Sequence, residues 1–368
     1  MAKLLNTTFL VTQSSPLTPE SGFGTLFASS SKLYFKNTSG TTYDLTAAGG
    51  SGGYINILTY TGSGTYTYNT GSGVQYIKVI CAGSGGGGGG GRLGAVGSSR
   101  GAGGGGAGGN INMAYFSSSS LAGTYDITIA GGGNGGTNAT GLVATNGGNG
   151  GIGLSSVFST GSGISLVRLL SASGGPGGIG ANPGNGSGGV NIAPTTASVP
   201  NPNPPFYYLG VNGTSGSIGG NAANAFSGTR WLSGGGGGGA IAAANSNGPG
   251  LSGSAIYSYA LLIQSGSPGA AGTSVTNGGN GSNGAPVFDA IQLLFYSGSN
   301  ISSSIQVGTG GHGGGAGNSS PGTNAGSGGS GSFGAGGGGG GAASVSASIS
   351  SGRGGPGGNG FVIIFEYY

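Results

Sequence analysis

The chain has 368 residues, 99 of them glycine and 14 proline, with 4% charged and 35% apolar residues and a formal net charge of +4. Chains held open by solvation are charged and poor in aromatics, whereas this one has 16 Tyr and 13 Phe, so its glycine excess does not read as disorder. Glycine costs about 1 kcal/mol relative to alanine inside a helix, and no long stretch lacks it, which excludes an α-helical fold.

Residues 1–48 differ in composition from the rest. Pro16 and Pro19 precede Gly22 to Ala28, a serine turn leads to Lys32 to Lys36, and Asn37 to Gly40 leads to Thr41 to Leu45. Alternation and turn chemistry predict a small meander of short strands. Three such strands bury little surface alone, so the segment is expected to associate with copies of itself or with another protein. The apolar stretch at the N-terminus is too short for a signal peptide, and no window approaches about 18 apolar residues, so neither secretion by that route nor membrane insertion is expected.

A Gly/Ser linker at 49–53 leads into a glycine-rich domain over 54–368. Its opening, 54–82, reads as a β-hairpin turning through Asn69 to Gly73. Its close, 361–367, is apolar on both faces and reads as a central strand. The opening and the closing strand are expected to share a sheet that clamps the glycine-rich middle.

That middle, 83–356, repeats the cassette GGxGG. It occurs around Asn134, Asn149, Pro176, His312 and Pro356. A period of three is that of a polyproline-II-like helix, which has no internal hydrogen bonds. Ordering a residue's backbone costs about 1–2 kcal/mol, and glycine side chains recover none of it. The backbone N–H and C=O groups must therefore bond to neighbouring tracts. With no Cβ the tracts approach closely on every side, so the expected architecture is mainly β with a polyglycine-II helix sandwich. Bulkier inserts interrupt the tracts: 191–208, ending in Phe206, Tyr207 and Tyr208; 226–232, with Phe226, Arg230 and Trp231; 256–264, with Tyr257 and Tyr259; and 287–296.

Little of this supports catalysis. Gly-x-Gly-x-x-Gly matches abound in such a chain and none sits in a strand, turn and helix context with a downstream acid. His312 occupies a cassette slot that Asn or Pro fills elsewhere and is expected to point outward. The five acids are isolated, with Asp126 and Asp289 the one conceivable pair for glycan hydrolysis. No ligand cluster suggests a metal, and no cofactor is expected. The basic residues are scattered, against nucleic-acid binding. The lone Cys81 excludes an internal disulfide and reads as a small buried hydrophobe. A nearly neutral surface of Ser, Thr, Asn, Gly and Tyr suits uncharged partners such as glycans or protein loops.

Three stretches carry a resemblance. Thr65-Tyr66-Thr67-Tyr68 followed by Val74 to Val79 and a seven-glycine run, Leu121 to Ile129 before a cassette, and Gly357-Gly358-Asn359-Gly360-Phe361 to Ile364 at the close are similar to the glycine-rich domain of bacteriophage tail fibres and adhesins. Lys32 to Asn37 with Gly40 to Leu45 resembles short strand modules of phage fibre proteins. The resemblance implies a non-enzymatic virion protein, often trimeric, attached to a tail or capsid protein through its N-terminal β segment and presenting loops to a host surface protein or glycan. Phe206, Tyr207, Tyr208, Phe226, Arg230, Trp231, Tyr257 and Tyr259 are the expected receptor contacts, because Tyr, Trp and Arg dominate binding hot spots; packing against the glycine lattice is the other reading. A structural decoration protein and an ice-binding protein are the alternatives, the latter expecting regular rows of Thr or small residues.

Overall fold

A computed structural model describes residues 25–29, 32–36, 39–44, 55–117, 123–160, 167–183, 206–208, 234–241, 256–258, 261–263, 277–284, 286–287, 307–308, 310–317, 323–346 and 348–368. Its strands are β1 (Thr25–Ser29), β2 (Lys32–Lys36), β3 (Thr42–Asp44), β4 (Ile55–Tyr60), β5 (Gly64–Asn69), β6 (Tyr76–Ala82), β7 (Leu93–Gly94), β8 (Ile111–Ser117) and β9 (Thr124–Ile129). They continue as β10 (Ser156–Thr160), β11 (Val167–Ala172), β12 (Phe206–Tyr208), β13 (Ile256–Ser258), β14 (Leu261–Ile263), β15 (Pro286–Val287), β16 (Val307–Gly308), β17 (Ala343–Ser344) and β18 (Phe361–Tyr367). No helix occurs among the described residues. The fold is mainly β, as composition requires.

The expected N-terminal meander is an antiparallel sheet in the order β1-β2-β3. In the glycine-rich domain, one sheet runs β12-β8-β6-β18-β4 and a second β11-β10-β9-β5. Strand periodicity of two sorts the side chains between their faces. Val362 and Ile364 of β18 join Ile77, Val79 and Cys81 of β6 against Tyr125, Ile127, Phe158 and Leu170 of the second sheet. Phe361, Ile363 and Phe365 take the opposite face with Ile80 and Met113. The closing strand is thus central and buried on both sides, between β4 and β6.

The expected hairpin over 54–82 is not formed. β5 pairs with β9 in the second sheet, while β6 pairs with β8 and β18 in the first. Composition accounts for the split: β5 alternates Thr and Tyr and buries one face at a sheet edge, whereas β6 is buried along nearly its whole length and takes an interior position. The turn between them, with Gly73 in the left-handed region at φ 84°, carries the chain from one sheet to the other.

Glycine tracts continue directly from these strands and bond only to one another. The 84–93 tract donates from Gly85, Gly88 and Gly91 to Gly358, Gly355 and Gly352, from Gly86 and Gly89 to Ala107 and Gly104, and from Gly87 and Gly90 to Gly151 and Gly148. It accepts from Gly133 and Gly136, from Gly175, Gly178 and Ala181, and from Gly337 and Gly340. Successive residues therefore address successive neighbours, as a threefold helix dictates. The 335–343 tract is ringed in the same way, by tracts 84–93, 101–109, 234–241, 310–317, 324–331 and 350–359. The bonds stack the tracts in three layers. One holds 277–284, 324–331, 350–359 and 131–139; the middle holds 310–317, 335–343, 84–93 and 145–154; the third holds 234–241, 101–109 and 174–181.

Candidate binding surfaces

The layer of 277–284, 324–331, 350–359 and 131–139 faces outward on one side, and there every third residue is not glycine. Along 277–284 these residues are Asn277, Asn280 and Asn283, all exposed; the next tract aligns Asn324, Ser327 and Ser330 beside them. Ser350, Arg353 and Pro356 follow on the third tract, and Thr140, Thr137 and Asn134 on the fourth. A rise of about 3.1 Å per residue spaces slots in one tract by about 9.3 Å. The result is a flat grid of amides and hydroxyls interrupted by one cation and one proline.

The asparagines in this grid have a backbone task. The Oδ1 atoms of Asn277, Asn280 and Asn283 each accept, at 2.9 Å, from the backbone N–H of Asn324, Ser327 and Ser330. Asn324 accepts from Ser350 N at 2.8 Å and Asn359 from Gly132 N at 3.1 Å. An outward-slot N–H at the lattice surface has no tract above it to accept it, so a side-chain oxygen takes that place. Proline solves the same problem by lacking the N–H, which explains Pro356 and Pro176 in slots otherwise filled by Asn.

At the end of the lattice away from the sandwich, turns join the tracts. Leu93 pairs with Thr145 and Thr140 with Ser350, while β7 and β17 run parallel, so turns 94–99 and 140–144 lie together with residues 345–346 and 348–349. Gly97 and Gly141 supply left-handed φ values of 83° and 111°. Val96, Leu142 and Val143 are 52%, 70% and 74% exposed there.

The groups with reactive potential are buried. His312, expected outward, is wholly enclosed. Its tract, 310–317, lies in the middle layer and is buried along its whole length, and the His312 backbone bonds to Ser282 O and Gly329 N. Burial pushes the Cys81 thiol pKa up, against thiolate chemistry. The carboxylate of Glu366, on β18, accepts from Tyr68 Oη at 2.8 Å, Asn56 Nδ2 at 2.7 Å, Tyr368 Oη at 3.0 Å and Gly71 N at 3.4 Å. Arg100 is buried over Gly94, with Nε donating to Ser98 O and a terminal nitrogen to Ser344 Oγ. Lys78 lies with its ammonium 5.6 Å from the Tyr115 ring and 5.5 Å from that of Phe365. Burial lowers its pKa. Among the described residues no three metal-ligating side chains cluster.

Of the eight residues expected from sequence to contact a receptor, the structure describes the backbone of Phe206, Tyr207, Tyr208 and Tyr257. Phe206, Tyr207 and Tyr208 form β12, paired with Met113, Asn112 and Ile111 at the edge of the first sheet, so their backbone belongs to the sandwich. Tyr257 lies on β13, which pairs with β14 in the stretch joining tracts 234–241 and 277–284. Phe226, Arg230, Trp231 and Tyr259 lie outside the described residues, as does Asp289. Sequence reasoning missed the grid, whose signal was present in the period-three spacing of Asn277, Asn280 and Asn283. No protein-family model and no curated protein matches the chain.

Proposed function

We propose that this chain is a non-enzymatic bacteriophage fibre adhesin. In this reading residues 1–48 fix it, as a homotrimer, to a virion tail or capsid protein. Turns at the free end of the lattice, together with the inserts between the tracts, then hold a host surface molecule. The observation that carries the reading is the exposed aliphatic group Val96, Leu142 and Val143 on the gathered turns. Exposed apolar residues gathered on loops of a rigid scaffold mark interaction sites; Ile152, Leu154, Val167 and Ile179 are exposed elsewhere on the domain, but not on these turns. A framework with its backbone groups bonded in three directions supports loops with little entropy left to lose on binding.

Fluorescently labelled protein applied to a panel of bacterial strains tests it. The native chain is expected to bind a subset of strains, and the double variant Leu142→Ser/Val143→Ser to bind them at least about tenfold more weakly with an unchanged melting temperature. Binding to no strain, or equal binding by the variant, would count against the assignment. The flat grid supports a second reading, binding to ice, which favours rows of small polar residues; Arg353 and Pro356 break those rows. Thermal hysteresis in the native protein would select that alternative.

A further inference from the structure

At the sandwich end of the grid the outer face is stepped. The 324–331 tract ends at Ser332 and Phe333, and Gly334, at φ 73°, turns the chain down into the middle layer. The flanking tracts 277–284 and 350–359 stay in the outer layer. Between them lies an open trough of about 400 Å³, lined by Asn283, Ser330, Ser332, Phe333, Asn359 and glycine backbone. Phe333 forms its end wall, anchored by packing against the outer face of the first sheet.

The floor offers little to a partner's backbone. Gly284 N donates to Ser330 O, Gly331 N to Pro356 O, Gly357 N to Gly133 O and Gly358 N to Ala335 O, so these donors are spent within the lattice. An extended peptide adding along an edge needs a row of unspent backbone groups. What remains is side-chain chemistry. Asn283 and Asn359 are each held by the Oδ1, to Ser330 N and Gly132 N, which fixes the amide plane and leaves Nδ2 as donor. Ser330 adds a hydroxyl, and the Phe333 ring adds an apolar wall. No charged side chain lines the trough.

We propose that this trough is a binding site for a neutral pyranose unit of a glycan. A sugar ring presents hydroxyls that both donate and accept, matching fixed amides and a serine, and a C–H face that packs on an aromatic ring. The volume falls within the range of small-molecule sites, about 300–1,000 Å³. The proposal rests on the adhesin reading in taking a cell-surface glycan as the source of the sugar; the sugar contact itself stands on the trough.

Two variants isolate the site. Asn283→Asp keeps an oxygen acceptor for Ser330 N but removes the Nδ2 donor. Ser330→Trp fills the trough, and the lattice already carries a long side chain, Arg353, in the outward slot beside Ser327, one turn back along the same face. Saturation-transfer NMR on the full chain, with methyl glycosides of glucose, galactose, mannose and N-acetylglucosamine, reads binding. At least one glycoside is expected to bind the native protein, about tenfold more weakly in Asn283→Asp, and not at all in Ser330→Trp, with melting temperatures unchanged. No transfer to any glycoside, or equal transfer in Ser330→Trp, overturns the site. Transfer only to a control peptide mixture, blocked by Ser330→Trp, overturns it in favour of a protein partner. A native chain that binds cells but no glycoside removes the sugar site alone; one that binds a glycoside but no cells removes the adhesin reading alone.

Discussion

An alanine Cβ placed at Gly88 would lie 2.0 Å from the carbonyl oxygen of Gly338 and 2.4 Å from its carbon. Both are backbone atoms held by neighbouring tracts, so neither can swing aside. At Gly131 the nearest atom to the same Cβ is Ser63 Cβ at 3.9 Å. Gly88→Ala is therefore expected to destabilise the chain by about 1–3 kcal/mol or more, as overpacking does. Gly131→Ala is expected to be neutral or to stabilise by up to about 1 kcal/mol through the unfolded state. Chemical denaturation of the two variants distinguishes them, and equal losses would contradict the lattice geometry. The need for glycine was legible in the cassettes; which cassette slots reach solvent was not. Asn134 and His312 occupy the same position in GGxGG, yet one is exposed and the other enclosed. Slot orientation depends on the layer a tract enters, and no local pattern records that.

The strands show the same division. β18 was readable because Phe361 to Phe365 are apolar on both faces, and only a central strand buries both. The pairing of β5 was not, since Gly71 and Gly73 suit a hairpin turn as well as a step between sheets. One polar contact ties these two elements: Tyr68 of β5 donates to Glu366 of β18 across the sandwich. Burial, the hydrogen bond to Glu366 and its charge raise the Tyr68 pKa above its ordinary value of 10.0, and burial followed by Glu366 raises that of Tyr60. A raised folded-state pKa gives stability that is fully present below about pH 10 and lost as pH rises through the folded value. Tyr68→Phe leaves a buried carboxylate one donor short, and is expected to cost about 1–3 kcal/mol at neutral pH. It is also expected to flatten the loss of stability above pH 10. Urea titrations at pH 7 and above pH 10 measure both effects, and an unchanged alkaline slope would show that the Tyr68 hydroxyl does not link the sheets.

In the whole molecule, tracts at successive depths differ in how many of their amides the lattice holds. Tracts 84–93 and 335–343 are ringed by other tracts, whereas 277–284 and 131–139 turn one side to solvent. Opening an outer tract disrupts bonds on its inner sides only; opening a central one separates the layers and pulls on β6, with which 84–93 is continuous. Local opening free energies therefore rise toward the two central tracts. Hydrogen–deuterium exchange is expected to be slowest for Gly86 to Gly91 and Gly337 to Gly341, and at least about tenfold faster, roughly 1.4 kcal/mol in opening free energy, at the outward slots Asn134 and Thr137. Side chains contribute almost nothing to the central tracts, so this gradient isolates the backbone network. Uniform exchange would place the stability of the chain in its β-sandwich, and would leave the glycine layers as a covering rather than the frame that holds the exposed turns.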